Sequence, residues 1–435
     1  MEQVRVGICG LGTVGGGTLQ LIQNNSIDLQ ARVRAEVVVT HVGVRNPKSG
    51  FELEGIRLSQ DIFEIAKDPE VDVLVETIGG IEPAKSLILE ALSNGKHVVT
   101  ANKALIAEHG NELFQVAEKT GVTLSFEAAV AGAIPVIRSL RDGLAANQIK
   151  ELAGIINGTG NFILTEMRDH GRAYEDVLKE AQELGYAEAD PTFDVEGIDA
   201  AHKLCILASI AFGTPLNFDR VFTEGISKLE RQDVVFAEEL GYRIKHLGIA
   251  KSTDEGIEMR VHPTLIPEEV LLAKVDGVMN AVWIDGNASG PTLHYGAGAG
   301  ALPTASSVVA DIVEIARAKT SGASSGTPPL GVDLANQKDL PLLGIEDCTT
   351  AFYLRINAVD KPGVMLSITK VLSDAGVSID AIIQKEAEGE AGQVPIVLIT
   401  SVAKESVLNG AVESIEALED TVGPVVKVRV EALES

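Results

Sequence analysis

The 435-residue sequence is poor in cysteine, short of positive charge and without a long apolar run. Its three cysteines, Cys9, Cys205 and Cys348, lie far apart, which is neither a disulfide framework nor a metal-ligand spacing. Thirty-six Lys and Arg against 62 Asp and Glu leave a formal charge of -26. Such a balance argues against nucleic acid, whose phosphates need a basic face, and disfavours non-specific self-association. No apolar run approaches about 18 residues and no signal peptide precedes the first strand, so no membrane anchoring is expected. The expectation is a soluble, cytoplasmic protein without internal repeats.

What is present is ample for folding. Hydrophobic residues make up 45% of the chain, and the length suggests about three domains. The 43 glycines and 16 prolines cluster in turns without a period, which argues against disorder. From Val4 to about Leu124, VRVGICG, EVVVTHVGV, VDVLVETIG, KHVVTAN and VTLSFEAAV read as five strands. TLQLIQNN, SQDIFEIAKD, PAKSLILEALSNG and GNELFQVAEKTG alternate with them as helices, the pattern of a doubly wound parallel sheet. Further on, ELAGIINGTG, RIKHLGIAKS, GIEMRVHPTLI and MNAVWIDGNASG read as strands of a second, mixed sheet. FILTEMRDH, AYEDVLKEAQELG and GIDAAHKLCILASIAFG read as helices, and YGAGAG as a turn opening a helix just after Pro303. Residues 320–338 carry no periodicity and read as a linker. Beyond it, a β-α-β-β-α-β order with a helix from about Val407 to Leu418 predicts a ferredoxin-like unit.

Gly10-Leu11-Gly12-Thr13-Val14-Gly15 fits G-x-G-x-x-G between a strand and a helix. In that setting the glycines serve a tight turn, close approach to a pyrophosphate and helix–strand packing, with free N–H groups facing the phosphates. An NAD site usually has an acid at the end of the second strand. Glu36 has the right offset but stands at that strand's start, whereas Arg45 and Lys48 stand at its end. Two cations there suit a 2′-phosphate, so NADP is favoured, with NAD possible.

The stretch ELGYAEADPTFDVEGIDAAHK carries Glu183, Glu188, Asp190, Asp194, Glu196 and Asp199 and ends on Lys203. Asp199 and Lys203 are four apart and share one helix face. His202 is turned away from that face and reads as a packing or surface histidine. Asp194 reads as a helix-start or supporting carboxylate, and Glu183, Asp190 and Glu196 as structural or solvated. Lys103 is expected at the carboxyl end of a parallel strand, where open α/β sheets bind ligands.

Together GLGTVG, TANKALIA, FEAAVAGAIP, NGTGNFIL, the acidic stretch, GAGALPTAS and a C-terminal DKPGV turn resemble homoserine dehydrogenase across essentially the whole chain, in its monofunctional form with an ACT domain. One departure is Gly160, where the family usually has a second threonine. The resemblance implies an NAD(P)-dependent enzyme interconverting L-aspartate 4-semialdehyde and L-homoserine in threonine, methionine and isoleucine biosynthesis. By it, Lys203 donates the proton, Lys103 contacts cofactor and substrate oxygen, and Glu188, Asp199, Asn157 and Thr159 bind substrate. Gly185, Gly298 and Gly300 join the G-x-G-x-x-G residues, Arg45 and Lys103 at the cofactor. A monovalent cation, sodium, is implied at Glu127 and at the carbonyls of Val130, Gly132 and Ile134, an oxygen-only set suited to a hard ion. Threonine is the implied effector, at Asp360, Pro362, Gly363 and Val364, where a helix N-terminus suits a carboxylate.

The expected organisation is a dinucleotide-binding domain over 1–134, completed by a helix at about 303–319. A catalytic and dimerisation domain over 135–302, a linker over 320–348 and an ACT domain over 349–435 follow, in a homodimer or homotetramer. Two other readings are weighed. A non-catalytic sensor of nucleotide and amino acid has no need of two lysines at one site. A semialdehyde dehydrogenase needs a nucleophilic cysteine at the cofactor, and none of the three is placed for it.

Overall fold

A computed structural model describes residues 2–46, 50–322, 327–385 and 392–433. Along the chain run β1 (Gln3–Cys9), α1 (Thr13–Asn24), α2 (Ser26–Val33), β2 (Glu36–Gly43), β3 (Arg57–Ser59), α3 (Ile62–Lys67), β4 (Val73–Glu76), α4 (Ala84–Ser93), β5 (His97–Thr100), α5 (Lys103–Thr120) and β6 (Leu124–Ser125). There follow α6 (Val136–Arg138), β7 (Ile149–Ile155), α7 (Gly158–His170), α8 (Tyr174–Glu183), α9 (Thr192–Val195), α10 (Ile198–Phe212), β8 (Phe222–Thr223), α11 (Arg231–Glu239), β9 (Tyr242–Ser252) and β10 (Ile257–Pro267). The rest comprises β11 (Met279–Gly286), β12 (Gly290–Ala297), α12 (Ala301–Ser321), β13 (Thr349–Val359), α13 (Val364–Asp374), β14 (Ile379–Gln384), β15 (Gln393–Thr400), β16 (Ala403–Lys404), α14 (Glu405–Glu416) and β17 (Val426–Val430). They fall into two compact units: Met1–Gly158, Asp199–Val221 and Val278–Leu340 form one, and Thr159–Ile198, Phe222–Gly277 and Pro341–Ser435 the other.

In the first unit, β3-β2-β1-β4-β5-β6 form a parallel sheet. This is the Rossmann order, with its switch between β1 and β4. Burial on both faces explains the unbroken apolar strands: Val73, Leu74 and Val75 are fully buried. Val4, Val6 and Ile8 share a core with Leu19 and Ile22 of α1 and Val308, Ile312 and Ile315 of α12. Each such side chain contributes about 1.5–3 kcal/mol on burial. The α1–α12 approach is close enough that a Cβ on Gly17 would meet the Ala301 carbonyl oxygen at 2.7 Å. The antiparallel trio β12-β11-β7 completes this unit.

In the second unit, β9 and β10 form a long antiparallel hairpin, β10 pairs parallel with β17, and β17 continues antiparallel through β13, β15 and β14. The order β13-α13-β14-β15-α14-β17 is the ferredoxin-like unit expected of the ACT region, with the two-residue β16 added. Phe352, Leu354, Ile368, Leu372, Ile396 and Leu408 are in its core. Among the described residues, no helix is long and apolar enough to cross a membrane.

Several local expectations change. The first sheet has six strands, because three-residue β3 is too short to show alternation. Helix α5 begins at Lys103, earlier than its apolar pattern, because Asn102 caps it: the side chain accepts from Leu105 N–H at 3.2 Å. The glycines at the ends of β12 disguised a strand as a turn. Helix α12 starts at Ala301 and runs to Ser321, so Thr320 is helical. Residues 323–326 of the expected linker lie outside the described residues.

Candidate active site

Helix α10 is apolar almost throughout, and its first turn carries Asp199, only 5% exposed. A carboxylate suits that end of a helix, but its burial requires cations. Lys203, one turn on, places Nζ 2.7 Å from Asp199 Oδ2 and donates to the Ile156 carbonyl at 2.6 Å. Lys103 Nζ lies 3.2 Å from Asp199 Oδ1, and Asn157, just after β7, donates to Oδ2 at 2.9 Å. Burial pushes the Asp199 carboxyl up, but Lys203, Lys103 and the hydrogen bonds from Lys203 and Asn157 outweigh it. The carboxyl is held well below the usual range. The i,i+4 spacing thus yields more than a pair: one buried carboxylate bridges two ammonium groups.

Lys103 stands just past the carboxyl end of parallel strand β5, as expected; β5 stops at Thr100 and Lys103 is the first residue of α5. A cation there opposes the helix dipole, and Asp199 offsets it. A buried relay fixes the turn. Glu76, fully buried at the end of β4, accepts from Thr100 Oγ1 at 2.5 Å and from the N–H groups of Ile78 and Gly79 at 2.8 and 3.1 Å. Thr100 Oγ1 accepts from Asn102 N–H at 3.0 Å, and Asn102 Nδ2 donates to the Gly80 carbonyl at 2.6 Å. Sequence reasoning missed Glu76, which looked like one more residue of a buried strand. His202 is no surface residue: it is buried, stacks on Phe218 at 4.2 Å, and its Nε2 lies 3.1 Å from Glu108 of α5. That pair ties the helix bearing Lys203 to the helix bearing Lys103. Burial lowers the His202 imidazole below its ordinary value against the opposing pull of Glu108.

At the same carboxyl edge of the parallel sheet, where Cys9, Glu76 and Thr100 are in register, Gly10 has φ +97° and its N–H donates to the Gly43 carbonyl at 2.8 Å. A Cβ on Gly15 would sit 1.9 Å from the Gly10 carbonyl oxygen, whereas one on Gly12 would meet no protein atom within 4 Å. Packing therefore requires glycine at position 15, while Gly12 leaves its backbone open beside the start of α1. That cradle fits a pyrophosphate. Leu11 is buried, Thr13 opens α1, and Val14 packs against the core. Glu36 is bound to Gln3 at the far end of β2, at 2.9 Å, and Arg45 is exposed beyond its near end. Lys48 lies outside the described residues.

Thr159 donates to the Tyr186 carbonyl at 2.7 Å, and Glu188 is exposed in the second unit. Gly185, at φ +75°, closes α8 by donating to the Gln182 carbonyl, a helix-stop arrangement. Gly298 lies against Asn280, 2.2 Å from where its Cβ would be, and Gly300 caps α12. Of the acidic residues read as structural, Asp190 accepts from Thr192 and Glu196 from Ser227.

Around Glu127, both carboxylate oxygens accept backbone N–H groups, from Ile137 and Arg138, each at 2.9 Å. The Gly132 carbonyl accepts from Ser307 Oγ at 2.7 Å and that of Ile134 from Val136 N–H at 2.8 Å, while Val130 is buried alongside. This donor set is all oxygen and each oxygen retains a second lone pair, so its chemistry fits a hard cation. Among the described residues, no cluster of three or more His, Cys, Asp and Glu could hold a metal. In the ACT region Gly363, at φ +96°, opens α13 at buried Val364, and Asp360 and Pro362 are exposed before it. The cysteines are inert: burial pushes the Cys205 and Cys348 thiols up to about 12, and Cys9 further.

Known families meet these features along the whole chain. Residues 10–127 match the NAD-binding domain of homoserine dehydrogenase, 135–313 the homoserine dehydrogenase domain, and 352–420 the ACT domain. A homoserine dehydrogenase of Pseudomonas aeruginosa is 57% identical over 433 residues, covering 100% of both chains, and one of Neisseria gonorrhoeae is 50% identical with the same coverage. A crystal structure of a homoserine dehydrogenase from Thiobacillus denitrificans superposes with a TM-score of 0.94 at 53% identity, covering 100% of this chain and 99% of that one. A hyperthermophilic archaeal homoserine dehydrogenase solved in complex with NADPH matches 72% of this chain and 97% of its own, with a TM-score of 0.61 at 27% identity. Matches to the nucleotide-binding, catalytic and ACT regions and relatives 57% and 50% identical along the whole chain thus agree, and the chain belongs to the homoserine dehydrogenase family.

Proposed function

We propose that the chain interconverts L-aspartate 4-semialdehyde and L-homoserine with NADP(H) in preference to NAD(H). The observation carrying this reading is Asp199 held between Lys103 and Lys203. When bound, the reduced nicotinamide supplies the hydride that an aldehyde carbon needs. Lys203 then delivers a proton to the carbonyl oxygen as charge builds on it. Asp199 holds and aims Lys203, while Lys103 offers a second cation to the same oxygen. Asn157 holds Asp199 in place. Glu188, Asp199, Asn157 and Thr159 enter on the resemblance, as contacts for the substrate's ammonium and carboxylate.

Gly10–Gly15 carry the pyrophosphate. Arg45 supports the NADP preference, as does the archaeal relative solved with NADPH. Gly185, Gly298 and Gly300 are assigned to the cofactor by resemblance. By resemblance too, the oxygens of Glu127, Val130, Gly132 and Ile134 would hold a sodium ion. The ACT region supports feedback by threonine at Asp360–Val364, in a cytoplasmic homodimer or homotetramer.

The test is NADPH consumption by the purified protein. Turnover should require aspartate semialdehyde, exceed that with NADH, and slow when threonine is added. A folded preparation that binds NADPH and never consumes it would reject the reading.

A further inference from the structure

Arg429 of β17 is 3% exposed, and its guanidinium is shared between two carboxylates. Nε and Nη2 donate to Glu405, the first residue of α14, at 2.8 and 2.6 Å, and Nη1 donates to Glu224 at 2.7 Å. Glu405 belongs to the ACT module, as does Arg429; Glu224 follows β8 and does not. The guanidinium also lies 5.1 Å from the centre of the Phe222 ring, so it grips the segment from two sides.

That segment in turn holds the end of the acidic stretch. Glu224 N–H donates to the Val261 carbonyl at 2.8 Å, and the Glu224 carbonyl faces His246 Nε2 at 3.0 Å. Ile226 N–H donates to the Val195 carbonyl at 2.9 Å, and Ser227 Oγ to Glu196 at 2.7 Å. Contact is tight at Gly225, where a Cβ would lie 2.2 Å from Glu196 Oε2 and 2.7 Å from the Val195 oxygen. Gly197, at φ +86°, is pressed against Val261 and His246. Two residues later along the chain stands Asp199. Packed segments of this kind move together, because close-packed contacts cannot stretch.

We propose that Glu224 is a positioning residue: its ion pair with Arg429 couples the ACT module, through residues 225–227, to residues 195–197 and so to the setting of Asp199. The effector half of this inference rests on the threonine reading above. A charged Arg fork suits the task, since a bidentate hold on Glu405 leaves one rigid donor for Glu224.

The test uses the full-length enzyme. Glu224→Gln keeps the shape and removes the charge; Ser227→Ala removes an exposed hydroxyl further along the chain of contacts. Glu224→Gln is expected to raise KM for aspartate semialdehyde about fivefold and to raise the threonine concentration needed for half-inhibition. Its kcat should stay within about twofold, and NADPH affinity should not change. Ser227→Ala should shift KM in the same direction by a smaller factor. A merely structural defect would instead reduce the active fraction, lowering kcat at unchanged KM. That outcome, or a wild-type KM in both folded variants, would overturn the proposal. A wild-type enzyme that ignores threonine would sink the effector reading alone, and the KM comparison would still decide the role of Glu224. Should Glu224→Gln fail to fold, Ser227→Ala carries the decision, because its hydroxyl is exposed.

Discussion

Asp233 and Asp199 are both buried aspartates facing cations, and they are held in opposite ways. Asp233 is fully buried, with Arg355 Nε and Tyr353 OH on Oδ1 at 2.6 and 3.0 Å, and Arg355 Nη2 and Glu230 N–H on Oδ2 at 3.1 and 3.0 Å. The fork, the ring and the backbone are all rigid donors, and together they lock α11 to β13. Asp199 instead meets two ammonium groups on flexible stems, one of them on the 32% exposed Lys103. A guanidinium fork fixes geometry, whereas a lysine can turn and hand over a proton. The first arrangement is a staple, and the second is the one proposed to act as an acid.

The contrast is broken most severely at Lys203. Lys203→Ala should lower kcat by about 10³-fold, within the usual range for losing a general acid, while NADPH binds as before. Wild-type turnover in this variant would remove Lys203 from the mechanism. Next come the two aspartates, compared directly. Asp199→Asn should cost about 10²-fold in kcat with a modest change in melting temperature. Asp233→Asn should do the reverse: it leaves Arg355 buried without a full counter-charge, at about 3–5 kcal/mol, and the surviving folded enzyme should keep its KM. Calorimetry and steady-state rates on both variants check this. If the two behave alike, the distinction between staple and acid is wrong.

How much of this was legible in the sequence depends on range. The nucleotide turn and the i,i+4 spacing of Asp199 and Lys203 are local, so residue order alone displayed them. The link from Lys103 to Asp199 crosses about a hundred residues of chain, and only the resemblance pointed to it. Glu76 and Glu108 left no signal: a carboxylate in a buried strand or on a helix looks ordinary until Thr100 or His202 folds against it. The reading of His202 as a packing or surface residue left its burial open and missed its partner on α5. Short strands such as β3 and glycine-ended ones such as β12 are made by their neighbours, which explains why periodicity passed them by. The ACT order, by contrast, was plain, because strand, turn and helix succeed one another locally, as at the DKPGV turn between β13 and α13.

The smallest effect separates the charge of Asp199 from its titration. Its carboxyl is held well below the usual range by Lys203 and Lys103, against burial. A depressed carboxyl contributes stability above the ordinary carboxylate pKa of about 4, and that contribution is lost as pH falls further. Asp199 is therefore expected to stay ionised near neutral pH, and the acid limb of kcat/KM is expected to belong to another group. Asp199→Asn should accordingly lower the whole pH–rate profile without moving its acid midpoint. The variant's melting temperature should also fall slightly less steeply than wild type as the pH is taken below about 4. An acid midpoint that shifts in Asp199→Asn would mean that this carboxylate titrates during turnover, and that the two lysines hold it less firmly than their distances imply.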